Sequence, residues 1–63
     1  PEAAAPGPKL FPRLLATAER LFGYGAPKLA LRYYLASERE EALSPAQRRW
    51  VRKRLAECRA SGA

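Results

Sequence analysis

The sequence has no histidine, aspartate or methionine, and Cys58 is its single cysteine. An intrachain disulfide is therefore excluded, and so is a zinc site built from cysteine and histidine ligands. Few groups remain for general acid or base catalysis, and no glycine-rich phosphate loop precedes a helix. We predict a protein that is not an enzyme and that uses no metal or cofactor. A single thiol fits a reducing compartment, so we expect an intracellular location, either cytoplasmic or in a nucleoid or organelle matrix.

Long apolar runs are also missing. No run approaches the roughly 18 residues that a membrane-spanning helix needs, so we expect no transmembrane segment. The 63 residues allow one domain with a thin core, because a chain of this size buries only about 60% of its unfolded surface. Much of the 48% hydrophobic content is alanine, which adds little bulk to that core. Packing alone must hold the domain together.

The chain divides into a short tail and one helical domain. Residues 1–8 are rich in proline, alanine and glycine and have no large apolar side chain, so we predict a flexible, disordered linker or tail. Such a linker is typical of a domain that belongs to a larger protein. For residues 9–63 we predict an all-α fold, a small three-helix bundle with helices near 12–22, 27–41 and 45–60.

The first two helices follow from apolar spacing and from proline and glycine. The first has apolar residues three and four positions apart, with Pro12 as its first residue and Gly23 as its end. The second should begin at Pro27. Its apolar residues surround most of the circumference, which predicts a central helix contacted from two sides; they are Leu29, Ala30, Leu31, Tyr33, Tyr34 and Leu35.

The third helix has the clearest start. Ser44 and Gln47 form the S-x-x-Q pattern of a capping box, and Pro45 suits the first helical position. One arc of this helix is apolar and should face the core, with Cys58 buried and Trp50 an anchor whose indole N–H reaches the edge. The arc consists of Gln47, Trp50, Val51, Leu55 and Cys58.

Arg54 lies in the middle of the apolar arc, so its charged end must either extend to the surface or pair with an acid. We predict that Glu19 or the cluster of Glu38, Glu40 and Glu41 supplies the partner. That cluster stands at the end of the second helix, where the macrodipole disfavours acids. We interpret it as a brace to cations of the third helix; a solvated acidic run is the alternative.

Positive charge is concentrated on the third helix. The net charge is +6, the pI is about 10.3, and residues 45–60 contain six of the twelve lysines and arginines. Apart from Arg54, these cations share one helical face that can approach a phosphate backbone. We call this set the basic face: Arg48, Arg49, Arg52, Lys53 and Arg59.

The basic face favours a nucleic-acid-binding module, with Lys28 and Arg32 extending the surface. Two simpler explanations stay open, because net charge aids solubility and a GC-rich genome writes arginine for lysine. The alternative function is a protein-interaction or assembly module, in which the basic helix meets an acidic protein surface and the apolar second helix meets another subunit, possibly as an oligomer. A membrane-surface role is the weakest option, because the capping of this helix places it in a bundle.

Overall fold

A computed structural model describes Gly7 and residues 10–62 of the chain. The described residues form three α-helices and no strand: α1, Arg13–Gly23; α2, Pro27–Glu40; and α3, Pro45–Ala60. The prediction of a compact all-α fold with three helices is confirmed. The predicted tail at residues 1–8 lies, except for Gly7, outside the described residues.

The ends of α1 differ slightly from the sequence-based expectation. Pro12 is the N-cap and not the first helical residue, with ψ of 164°. At the other end the left-handed residue is Gly25, with φ of 82°, and Gly23 is still helical. Gly25 and Ala26 donate their N–H groups to the carbonyls of Phe22 and Leu21, the pairing of a Schellman motif. The second glycine of the turn is therefore the one that ends the helix.

The capping box of α3 is present as predicted. The Ser44 hydroxyl accepts from the Gln47 N–H at 3.1 Å, and the Gln47 side chain accepts from the Ser44 N–H at 2.9 Å. Gln47 has a second role, since its Nε2 donates to the Leu10 carbonyl at 3.1 Å. One amide thus starts α3 and also holds the chain segment that leads into α1.

The helix α2 is central, because α1 and α3 each pack closely against it. Tyr34 is its largest buried side chain, and Cys58 of α3 is buried as predicted. Leu43, in the loop before α3, also enters the core. The buried apolar residues are Leu15, Ala18, Ala30, Tyr34, Leu43, Val51, Leu55 and Cys58.

The apolar coverage of α2 is narrower than its sequence suggested. Leu29 and Leu35 are 43% and 39% exposed, while the small hydroxyl residue Ser37 is fully buried. Because α1 and α3 cover only part of the α2 surface, these two leucines remain partly open to solvent. Ser37 can be buried because its hydroxyl donates to Glu41 at 2.7 Å.

Glu41 joins the end of α2 to the start of α1. Its carboxylate accepts from the backbone N–H groups of Leu14 at 2.7 Å and Leu15 at 3.2 Å. The α1 N-cap, Pro12, has no side-chain oxygen for this purpose. A carboxylate at a helix N-terminus satisfies unpaired donors and interacts favourably with the helix dipole. Glu41 therefore caps α1 from 26 residues away.

We expect Glu41→Ala to lower the free energy of unfolding by about 2 kcal/mol, because it leaves two helix N–H groups and the Ser37 hydroxyl without their partner. Glu40→Ala removes a neighbouring exposed carboxylate and should change stability by less than about 0.5 kcal/mol. Urea denaturation followed by circular dichroism measures both. Equal losses in the two variants would contradict the capping role.

Candidate functional site

The five residues of the basic face are all exposed on α3. The buried residues Gln47, Val51, Leu55 and Cys58 occupy the opposite side of the same helix. At 1.5 Å per residue, the face extends about 16 Å from Arg48 to Arg59. The regular helix, started by the capping box and packed on α2, holds these cations in a fixed row.

Two residues of the basic face have partners within the chain. Arg52 lies 3.9 Å from the Glu38 carboxylate, with 70% of the Arg52 side chain exposed. Lys53 lies 3.8 Å from Glu57, and its Nζ is 4.8 Å from the centre of the Trp50 ring. Both contacts are long and solvated, so they constrain the cations only weakly.

The other three residues of the basic face, Arg48, Arg49 and Arg59, form no salt bridge with any described carboxylate. Their guanidinium groups are available to an external anion. A solvated arginine that already projects from a rigid helix loses less freedom on binding than one on a loop.

Lys28 and Arg32, the two predicted extensions of the surface, are exposed on α2. Arg32 lines an open cleft whose other described lining residues come from α1 and α2 and none from α3. The structure therefore gives Arg32 surroundings that differ from those of the basic face. No described contact joins either residue to the cations of α3.

Arg54 has the partner that its position demanded. Its Nε lies 3.0 Å from Glu19 of α1, and its Nη1 lies 2.9 Å from Glu57. The guanidinium also stacks on Phe22 at 4.3 Å and on Trp50 at 4.6 Å from the ring centres. Glu19 was one of the two predicted partners. Arg54 thus belongs to the fold and not to the basic face.

Tyr34 completes this network by donating its hydroxyl to Glu19. Burial, together with the hydrogen bond and the negative charge of Glu19, raises the pKa of Tyr34 well above its ordinary value. Burial lowers the pKa of Arg54, but its hydrogen bonds to Glu19 and Glu57 outweigh that effect and raise it. Both side chains therefore keep their protons, and Glu19 links all three helices.

The Cys58 thiol and the Trp50 indole, which lie next to the network, show no sign of a reactive role. Burial raises the pKa of the Cys58 thiol, which disfavours the reactive thiolate. Trp50 is half-buried, and its indole Nε1 is buried with no hydrogen-bond partner among the described residues. The expectation that this N–H reaches the edge was wrong, because the protein encloses the Nε1 atom and leaves it no contact with solvent.

The acidic cluster at the end of α2 does not act as one unit. Glu38 contacts Arg52 of α3, as the brace interpretation expects. Glu40 instead pairs with its neighbour Arg39 at 3.1 Å, and Glu41 caps α1. Sequence reasoning missed the capping role, since a contact between residues 41 and 14 depends on how the helices pack.

Within residues 10–62 no group of three or more potential ligands is placed to hold a metal ion. None of the described helices is long and apolar enough to cross a membrane. No protein-family model matches the chain, and comparison with curated proteins and with solved structures likewise found no match. Function must therefore be inferred from the chain's own surface.

We expect Arg54→Met to destabilise the fold by about 2 to 3 kcal/mol, because it leaves the Glu19 carboxylate half-buried without its cation. Arg52→Met removes an exposed cation from the same helix and should cost less than about 0.5 kcal/mol. Chemical denaturation of both variants measures the difference. A loss of similar size for Arg52→Met would show that Arg54 has no special structural role.

Stability should also fall in alkaline solution. Folding raises the pKa of Tyr34 above its unfolded value of about 10. The stability that the protonated Tyr34 hydroxyl contributes is therefore fully present below about pH 10 and is lost progressively as the pH rises above that value. The free energy of unfolding should fall by up to about 1.4 kcal/mol per pH unit more steeply in the native protein than in Tyr34→Phe. Denaturation series between about pH 8 and 11.5 measure both slopes. Parallel slopes would contradict this prediction.

Proposed function

We propose that this chain binds nucleic acid through the basic face of α3 and performs no catalysis. The observation that carries the proposal is the row of five exposed cations on one rigid helix, three of which have no salt-bridge partner among the described residues. The sixth cation of α3, Arg54, is bound to Glu19 within the fold, so the cations that stabilise the bundle and those offered to a partner are different residues.

Phosphate is a suitable anion for this surface. Arginine predominates on the basic face, and its planar guanidinium can bind two phosphate oxygens at once. Each phosphate that a cation neutralises releases condensed counterions, so affinity should depend steeply on salt. Five closely spaced cations on one helix can engage several phosphates together, which single surface charges elsewhere on the protein cannot.

The basic face favours the backbone over the bases. The other exposed residues among its arginines and lysine are Ala56 and Ala60, and the one glutamine of α3, Gln47, is buried. Trp50 is covered by Lys53 and Arg54, so α3 offers no open aromatic ring for base stacking. We therefore propose binding that is electrostatic and largely independent of base sequence.

A second candidate is a protein-interaction module that meets an acidic surface. The contact between Arg52 and Glu38 shows a carboxylate already placed beside the basic face. The exposed Leu29 and Leu35 add apolar surface on α2, as interaction modules often have. In this reading the same five cations bind carboxylates and not phosphates.

A salt titration separates the two candidates. Binding to fluorescent duplex and single-stranded oligonucleotides of two unrelated sequences is measured by anisotropy over a series of salt concentrations, with polyglutamate of matched charge as a competitor. The proposal expects log affinity to fall linearly with log salt, with similar affinities for both sequences. Arg48→Gln combined with Arg52→Gln should reduce the slope by roughly two, since each lost phosphate contact removes about 0.9.

The matched control is Arg13→Gln combined with Arg20→Gln, which removes the same charge from exposed positions of α1. It should leave most of the slope unchanged. No measurable binding at low salt would overturn the proposal, and so would equal slopes for the two double variants. Stronger binding to polyglutamate than to either nucleic acid would favour the acidic protein partner.

A further inference from the structure

An open cleft of about 460 Å³ lies between α1 and α2. Its apolar lining residues are Leu14 from α1 and Leu29, Tyr33 and Ala36 from α2. Two charged residues of opposite sign, Arg32 and Glu40, also line it. The cleft shares no lining residue with α3, so it is a surface distinct from the basic face.

The order of these residues along α2 is symmetric. Ala36 stands midway between Arg32 and Glu40, four positions from each, and all three line the cleft. Arg32 and Glu40 are thus separated by about 12 Å along the helix axis. A two-fold axis beside Ala36 and perpendicular to α2 would place the arginine of each copy opposite the glutamate of the other.

We propose that a second copy of this chain binds at the cleft, with the two α2 helices antiparallel and crossing at Ala36. Each Arg32 then faces the partner's Glu40, so one arrangement makes the same ion pair twice, as an isologous interface requires. A parallel arrangement would place like charges together. Charge complementarity therefore favours a second copy of this chain as the partner, with its α2 helix running antiparallel.

The apolar residues agree with this arrangement. Ala36 at the axis is small and lets the two helices approach closely. Leu14 lies at the end of α2, since its backbone N–H bonds to Glu41. In an antiparallel pair the partner's Leu29 reaches that same end and covers Leu14. The 43% exposure of Leu29 would then fall in both copies.

Both charged residues are open to a partner. Arg32 has no salt bridge to a described carboxylate, and Glu40 pairs only with the adjacent Arg39, in a contact whose side chains are 73% and 55% exposed. Such an exposed pair contributes little and is easily exchanged. The dimer would leave α3 uncovered, and it is independent of the nucleic-acid proposal.

The first test is the mass of the native chain in solution. One helix and one leucine per copy bury less than the roughly 1,200 Å² of a typical stable complex, so we expect a weak dimer with a dissociation constant on the order of 0.1 to 1 mM. Sedimentation equilibrium up to about 2 mM protein covers this range. A monomer at every concentration would overturn the proposal.

The second test exchanges the charges. Arg32→Glu alone and Glu40→Arg alone each turn two attractive contacts into two repulsive ones, so each variant should dimerise at least about tenfold more weakly than the native chain. An equimolar mixture of the two variants should recover native affinity, because every facing pair in the mixed dimer is again opposite in charge. The variant with both exchanges should also recover it.

Arg20→Glu is the matched control, since it makes the same charge change at an exposed residue of α1 that does not line the cleft. It should dimerise like the native chain. Circular dichroism establishes that each variant is folded. If the native chain dimerises but the mixture does not recover affinity, or Arg20→Glu weakens the dimer equally, the antiparallel pairing is wrong.

Discussion

The ion pair between Glu19 and Arg54 is the contact on which the arrangement of the three helices most depends. A 63-residue chain has room for few bulky core residues, and the backbones of α1 and α3 have little direct contact. The Glu19 carboxylate binds Arg54 of α3 and accepts from Tyr34 of α2. Phe22 and Trp50 lie against the guanidinium, so the pair is half-buried and its geometry is constrained by packing.

A second carboxylate, that of Glu41, joins the end of α2 to the start of α1. Glu41 binds two backbone N–H groups at the start of α1 and the buried Ser37 hydroxyl. An acid at the end of α2 is unfavourable for the dipole of α2 but favourable for that of α1. Long-range polar contacts of this kind add to a thin apolar core where the buried groups that make them are paired, as the Glu19 and Glu41 carboxylates are.

This use of charge would let α3 serve both the fold and the partner that we propose. Arg54 and the buried side of α3 pack within the fold, and the remaining five cations project from the other side of the helix. The helix keeps the spacing of these cations constant, which is the property that our binding proposal relies on. The cleft lies on another surface, so a partner on the basic face and a second copy at Ala36 would not compete.

Local signals in the sequence determined the helices, the capping box at Ser44 and Gln47, the burial of Cys58, and the row of cations on α3, because each depends on neighbours within one or two turns. Sequence reasoning named Glu19 or the acidic cluster at the end of α2 as the partner of Arg54, and it missed Glu57, which also binds Arg54. Only the tertiary structure decided that Glu19 is that partner, that Glu41 caps α1, and that Leu29 is exposed while Ser37 is buried. These outcomes depend on how three helices cross, and helical periodicity within a single element carries no information about that.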